Sequence, residues 1–271
     1  ISEEILDLNV KTNLSIMCDI KSFLKELNAS MEKQASASFN LFDWIKEYQT
    51  SKKQKWKRIQ TEAEAETVKV NPGKVVYKLN ELTNKNTIFV IDAGTQTPYM
   101  AANFILKQPG RKMVFDRGHG NLGYALSAAI GAKLAKQEAK VISMFGDGSF
   151  AMSVGELETV GRLGLPIVFI HFQNDSYGWI KKLHQLYYDA RYIGVDFKTI
   201  DASKIAEGFG IKSYKIKRND EIEKGLRWAL AQGAPVFLDI EIEPITQIVP
   251  PVTNWREDYL EDPAERKALT Y

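Results

Sequence analysis

With 271 residues, 44% hydrophobic and 26% charged, the chain has room for a sizeable core, and its composition excludes a disordered polypeptide. Its 36 basic and 34 acidic side chains leave a formal charge of +2, which argues against nucleic-acid binding by bulk electrostatics. One cysteine, Cys18, excludes an intrachain disulfide framework, a cysteine zinc cage and a cysteine-held iron–sulfur cluster, and suits a reducing cytoplasm.

No apolar run approaches the ~20 residues that span a bilayer, and no basic-then-apolar signal layout opens the chain. The expectation is a soluble, cytoplasmic protein that binds neither membrane nor nucleic acid. Opening on Ile1 rather than methionine is equally compatible with a processed chain, a trimmed one or part of a longer protein.

Residues 1–28 read as an extended piece, Asn13 to Met17, then a short amphipathic helix with Ile20, Phe23, Leu24 and Leu27 at helical spacing. So short a segment cannot bury a core by itself. From Ser30 to about Glu66 sparse apolar anchors stand in a lysine- and glutamate-rich background. That pattern suits helices lying across another surface and equally a solvated connector, so residues 29–71 are expected to be a helical connector.

After Asn71-Pro72-Gly73, strand-like and helix-like runs alternate. Strands are expected at Thr87 to Ile91, Met113 to Phe115, Val141 to Phe145, Ile167 to Phe172, near Ser213 to Ile216, and at Val236 to Ile242. Helices are expected from Gly123 to Lys136, about Ser153 to Leu163, and Asp220 to Ala231. Such alternation argues for an α/β fold whose mostly parallel sheet carries helices on both faces, with 72–243 as one domain and 244–271 as a tail.

The chemistry concentrates where the strand 141–145 stops, at Gly146-Asp147-Gly148-Ser149. A carboxylate between glycines at the carboxyl end of a parallel strand sits where open α/β sheets bind ligands. Glycine lets the backbone approach a bulky anion, and the amides from Ser149 onward point at phosphate oxygens as the next helix is approached. Asp147 would repel phosphate unless a divalent cation lay between them.

The next strand ends at Gln173-Asn174-Asp175-Ser176-Tyr177-Gly178. The interval from Asp147 to Asn174 holds one turn, one helix, a Gly164-Leu165-Pro166 break and one strand. A right-handed crossover therefore returns Asn174 to the sheet edge that carries Asp147. One carboxylate, one amide oxygen, one backbone carbonyl, phosphate oxygens and water compose the hard oxygen shell that magnesium prefers.

Gly-Asp-Gly followed at this distance by Asn resembles the diphosphate-and-metal signature of thiamine diphosphate-dependent enzymes. The stretch from Gly118-His119-Gly120-Asn121-Leu122-Gly123 to Ala128-Ala129-Ile130-Gly131-Ala132 resembles the Gly-x-x-Gly-Phe-Gly-Leu-Pro-Ala-Ala-Ile-Gly-Ala segment of the acetolactate synthase and pyruvate oxidase group. Coverage runs from about Pro72 to Ile242, in order, and residues 1–28 resemble the last strand and helix of that group's middle domain.

The resemblance implies that Asp147 and Asn174 are side-chain ligands of Mg2+ and that Ser176 offers its backbone carbonyl. It gives Gly148 and Ser149 the diphosphate, with Gly146, Tyr177 and Gly178 in the same cofactor site. It sets Gly94, Thr95 and Gln96 at its border, and Gly120, Asn121 and Leu122 at the aminopyrimidine. The Leu122 side chain, otherwise simple core packing, would be the wedge that bends thiamine diphosphate so that its imino nitrogen reaches the thiazolium C2 proton. Gly94-Thr95-Gln96 departs from the Gly-Gln-His-Gln of acetolactate synthases. Ala125 and Ser127 replace a usual glycine and proline, and Asp175 replaces a second asparagine.

The family's activating glutamate lies on a separate N-terminal domain, so the resemblance implies that a partner chain or a missing front half supplies it and that this chain alone is incomplete. It further implies a homo-oligomer; FAD, which relatives hold through the middle domain, is not inferable from these residues. Glu156 and Glu158 sit on a helix leading away from the ring and are not read as substitutes. His171, within an apolar strand, reads as structural. His119 reads as a proton relay or a loop histidine, and Arg111 and Arg117 as coenzyme A contacts or surface decoration. His184, Trp179, Lys181 and Lys182 read as substrate contacts or a solvated helix face.

The implied function is decarboxylation or carboligation of a 2-keto acid, acetolactate synthase-like. The alternatives are a 2-oxoacid oxidoreductase or dehydrogenase subunit, a 2-hydroxyacyl-CoA lyase-like enzyme, and a non-catalytic cofactor-binding module.

Overall fold

The computed structural model describes residue 6 and residues 11–33 and 42–252. The tail from 253, most of residues 1–10 and the part of the connector at 34–41 therefore lie outside the described residues. The chain divides into two units, Ile1–Gln54 and Lys55–Tyr271.

In the first unit, α1 spans Ile20–Lys33 and buries none of its residues. Ile20, Leu24 and Leu27 form the expected stripe and are exposed. The helix α2, Phe42–Glu64, begins in this unit and ends in the second, where Ile59 and Ala63 are buried.

In chain order the second unit continues with α3 (Pro72–Leu82), β1 (Thr87–Ile91), α4 (Gln96–Asn103), β2 (Met113–Phe115) and α5 (Tyr124–Ala135). Next come β3 (Lys140–Gly146), α6 (Asp147–Ser153), α7 (Glu156–Leu163), β4 (Ile167–Gln173) and α8 (Gly178–Tyr187). The series closes with α9 (Ala202–Gly208), β5 (Lys212–Ile216), α10 (Ile222–Leu230) and β6 (Val236–Glu241). Asn71 starts α3 by accepting the Gly73 N–H at 2.8 Å, with Pro72 in the first turn, where its missing N–H costs nothing.

Six strands form one sheet in the order β2-β1-β3-β4-β6-β5, every pair parallel. Alternation along each strand feeds two cores. Phe89, Ile91, Ile142, Met144, Val168 and Ile170 face the core that includes Val75, Leu79 and Leu226. Ile88, Val90, Val141, Phe145, Ile167 and Phe169 face the core that includes Leu126, Leu157 and Ala206. Both faces are covered, as the near-continuous apolar runs required.

The chain runs from β1 to β2 on one side, then crosses back so that β3 lies on the other side of β1. The strand order therefore reverses between β1 and β3, and the carboxyl ends there flank a crevice.

Two local expectations are corrected. Gly146 to Ser149 was expected to turn before a helix from about Ser153; instead β3 feeds directly into α6 at Asp147, and a break at Val154-Gly155 separates α6 from α7. Burial of Asp147 to Phe150 holds this glycine-bearing turn in helical form against its local propensity. The helix expected over 220–231 begins with a 3-10 turn, Asn219–Glu221, before α10.

Candidate functional site

A cavity of about 290 Å³ opens at the carboxyl ends of β1, β3 and β4. The loop after β1 contributes Gly94, Thr95 and Gln96, and the segment entering α5 contributes Gly120 and Leu122. The tip of β3 and first turn of α6 contribute Gly146, Asp147, Gly148 and Ser149, and the loop after β4 contributes Asn174, Ser176, Tyr177 and Gly178. Asn121 does not line the cavity; its side chain is exposed and its N–H donates to Asp116 Oδ2 at 3.0 Å.

The floor is a joint between two strand tips. Asn174 donates its backbone N–H to Asp147 Oδ2 at 2.9 Å, and its own Oδ1 accepts the Ser176 hydroxyl at 3.2 Å. An isolated antiparallel bridge pairs Ser176 with Asp196, but its hydrogen bonds are made by the neighbours, Tyr177 N–H to Val195 and Phe197 N–H to Asp175. Ser176 is thus the non-hydrogen-bonded member, and its own carbonyl turns away from the 195–197 segment.

Asp175 takes the left-handed conformation, φ 55°, which aspartate and asparagine tolerate better than other side chains. Its carboxylate accepts from Gln173 Nε2 at 3.1 Å and Thr199 Oγ1 at 2.8 Å, so it serves the loop and not the floor. An aspartate in place of asparagine here leaves the Asp147–Asn174 joint intact.

Two glycines are fixed by close approach. A Cβ on Gly148 would lie 2.3 Å from the Tyr177 ring, which itself packs edge-on against Phe197 at 4.5 Å. On Gly178 it would lie 2.6 Å from the Asn174 amide nitrogen. The Tyr177 ring thus lies directly against the Gly148 backbone, an approach that only glycine allows.

Some contributors escape sequence reasoning, and Gln96, which it named, makes contacts that it did not foresee. Ala93, Phe172 and Ile180 line the cavity, as does Trp179, which the sequence left undecided. Gln96 is buried, donates its side-chain N–H groups to the carbonyls of Asp92 and Ala93, and leaves Oε1 without a hydrogen-bond partner. Asp92, fully buried at the end of β1, accepts the Ala125 N–H at 2.9 Å in the first turn of α5. Burial pushes the Asp92 carboxyl above its ordinary pKa, against hydrogen bonds from the Ala125 N–H and the Ser149 hydroxyl.

His171, read as structural, is fully buried and makes polar contacts. Its Nδ1 lies 2.9 Å from Asp239 Oδ1, and its Nε2 lies 3.4 Å from Asp147 Oδ1, an ionic contact without hydrogen-bond geometry. Burial alone would lower its pKa; the flanking carboxylates of Asp147 and Asp239 reverse this and raise it to about 9. The signal in the sequence was a histidine inside an otherwise apolar strand, which by itself names no partner.

Other sequence candidates fall outside the cavity lining. Glu158 pairs with Arg162 on the surface at 2.9 Å, Glu156 stands on the same helix α7, and His119, Arg111 and Arg117 are exposed. Lys181 pairs with Asp196. Lys182 is buried, contrary to a solvated face, and donates to Gln185 Oε1 at 2.9 Å, its pKa lowered by desolvation. His184 packs edge-on against Tyr188. Among the described residues, no helix is long and apolar enough to cross a membrane.

Three comparisons bear on this site. The family model described as thiamine pyrophosphate enzyme, C-terminal TPP binding domain, matches residues 92–240. The chain is 31% identical over 276 residues to a probable acetolactate synthase large subunit of Methanococcus aeolicus, covering 95% of this chain and 45% of that protein. It is 32% identical over 255 residues to the probable acetolactate synthase large subunit of Methanocaldococcus jannaschii, covering 90% of this chain and 42% of that protein. It thus spans less than half the length of these curated relatives.

Among solved structures, the thiamine diphosphate-dependent 4-hydroxybenzoylformate decarboxylase of Rhodococcus jostii RHA1 superposes with a TM-score of 0.62 at 23% identity, over 66% of this chain and 34% of that one. That likeness shows a shared fold.

Proposed function

The chain belongs to the thiamine pyrophosphate enzyme family, carrying its C-terminal TPP-binding domain, and from this premise we propose that residues 72–243 hold thiamine diphosphate and Mg2+ for an acetolactate synthase-like reaction on a 2-keto acid. The observation that carries the reading is the Asp147–Asn174 joint on the floor of a cavity at the strand-order reversal. The residues present fit the group. Gly148 and Ser149 line the cavity in the first turn of α6, where backbone N–H groups have no partner within the helix and would meet a diphosphate.

Asp147, Asn174 and the Ser176 carbonyl offer a cation hard oxygen donors only, the set magnesium takes, with the remaining positions left to phosphate oxygens and water. When bound, thiamine diphosphate supplies the electron sink for breaking or making a carbon–carbon bond next to a carbonyl. The chain's own part is to anchor the diphosphate through the Gly148 and Ser149 amides and to neutralise it through the cation. Leu122, half-buried at the cavity, would shape the cofactor, and Phe172, Trp179 and Ile180 would keep water from it.

The proposed complete site needs a glutamate-bearing domain from a further chain or segment, and we read the assembly as a homo-oligomer working in the cytoplasm. Carboligation is favoured over an oxidoreductase or hydroxyacyl-CoA lyase reading because the similar curated relatives are named acetolactate synthase large subunits.

Calorimetric titration of thiamine diphosphate with and without Mg2+ tests the proposal. Uptake is expected to require the metal and to disappear in Asp147→Ala. Equal affinity in that variant, or metal-independent uptake, overturns it.

A further inference from the structure

We propose that His171, Asp239 and the partly exposed Lys215 form a cross-strand ladder that orients the Asp147 carboxylate toward a divalent cation, an inference that rests on the metal site proposed above. The ladder follows the sheet. Phe145, one residue before the tip of β3, is in register with His171 on β4; His171 is in register with Asp239 on β6, and Asp239 with Lys215 on β5. Since side chains alternate, His171, Asp239 and Lys215 stand in one row on one face of the sheet.

Each rung touches the next. Asp147 Oδ1 lies 3.4 Å from His171 Nε2, and His171 Nδ1 lies 2.9 Å from Asp239 Oδ1. Asp239 Oδ2 accepts the Ser203 hydroxyl at 3.3 Å and lies 3.6 Å from Lys215 Nζ, which also pairs with Asp201 at 3.0 Å. His171 and Asp239 are fully buried. The imidazole sits among Phe145, Phe150 and Phe237, with ring centroids 5.8, 5.2 and 5.9 Å away.

A fourth aromatic ring would fill such a box without the desolvation that a polar ring and a carboxylate incur, so packing gives no reason for them. Their contacts lead to the one carboxylate on the cavity floor. Asp147 accepts the Asn174 N–H through Oδ2 and lies in ionic contact with His171 through Oδ1, which together orient the carboxylate and leave a further acceptor direction on each oxygen for a cation. His171, Asp239 and Lys215 are thus positioning residues acting through Asp147.

Mn2+ is a spectroscopic probe for this role. The full chain is titrated with Mn2+ at a fixed, saturating concentration of thiamine diphosphate, and the free-ion EPR signal is followed well below the thermal midpoint of each variant. His171→Phe keeps the aromatic box and loses both polar contacts; its Mn2+ affinity is expected to fall about 10–100-fold, and its unfolding midpoint to fall as well because Asp239 Oδ1 is left buried without its partner. Asp239→Asn, which keeps an acceptor for Nδ1–H, is expected between wild type and His171→Phe, and Lys215→Met closer to wild type.

Affinity within about twofold of wild type in both His171→Phe and Asp239→Asn overturns the ladder. Should His171→Phe fail to fold, the ordering of Asp239→Asn below Lys215→Met and wild type supports the ladder, and its absence overturns it. If wild type itself shows no Mn2+ uptake dependent on thiamine diphosphate, the metal-site reading fails and takes the ladder with it, a result distinct from a wild type that binds and variants that match it.

Discussion

Asn174 gives its backbone N–H to Asp147 Oδ2 at 2.9 Å, so the tips of β3 and β4 are joined by the same carboxylate that the proposed metal would use. Only proline would remove that backbone donor, and any other side chain at 174 leaves it in place to hold the Asp147 oxygen. Position 174 therefore separates two roles. In Asn174→Ala the joint persists and the amide oxygen is lost, so Mg2+-dependent uptake of thiamine diphosphate should weaken about tenfold or more, roughly 1.4 kcal/mol, with little change in the unfolding midpoint. Calorimetry beside thermal unfolding checks this; equal uptake excludes Asn174 as a ligand.

Gly148→Ala tests the close approach beneath the Tyr177 ring. The added Cβ would lie 2.3 Å from that ring, which Phe197 backs at 4.5 Å, so Tyr177 must leave its seat or the first turn of α6 must shift. A cost of about 1–3 kcal/mol in urea unfolding is expected, as for an overpacked core, together with loss of diphosphate affinity. In the Tyr177→Ala background the clash is gone, so adding Gly148→Ala there should cost little further stability. If the single variant is as stable as wild type, the ring does not pack there.

Asp92→Asn gives a pH signature. Because burial holds the folded carboxyl above its ordinary pKa, wild type gains stability from Asp92 in its protonated form and loses that contribution as pH rises through the folded pKa. The asparagine has no such proton, and its side-chain oxygen can still accept the Ala125 N–H. The stability of the variant minus that of wild type should therefore increase from below pH ~4 to pH 7. A difference independent of pH, in urea unfolding at both ends of the range, removes the burial argument.

How much of this was written in the sequence depends on whether a residue's partner is near in the chain. The strand at Val141 to Phe145 was legible because the apolar run is short and bounded, and its two faces are filled by Val141 and Phe145 on one side and Ile142 and Met144 on the other. Gly-Asp-Gly and the distant Asn174 were legible because the crossover between them has a fixed hand. The short helix α4 was not read, since Thr97-Pro98 in its first turn resembles a loop. The helical start at Asp147 went unread because burial, and not glycine, decides it. His171 looked like core because Asp239, its partner, stands 68 positions away and only the β4–β6 register brings the two together.

Leu122 separates binding from activation in the proposed site. It lines the cavity on the segment entering α5, whereas the amides of Gly148 and Ser149 lie at the first turn of α6. Truncation to alanine removes apolar surface from the side where the cofactor's rings would meet and leaves the diphosphate floor untouched. Leu122→Ala should therefore bind thiamine diphosphate and Mg2+ within a few-fold of wild type, and in the assembly that includes the glutamate-bearing domain it should exchange the C2 proton for deuterium more slowly, by about tenfold or more. Exchange followed by proton NMR after acid quench reads the second quantity without depending on turnover. Unchanged exchange makes Leu122 packing alone; a large loss of binding with normal exchange would place it on the diphosphate side of the site, contrary to its position at the mouth of α5.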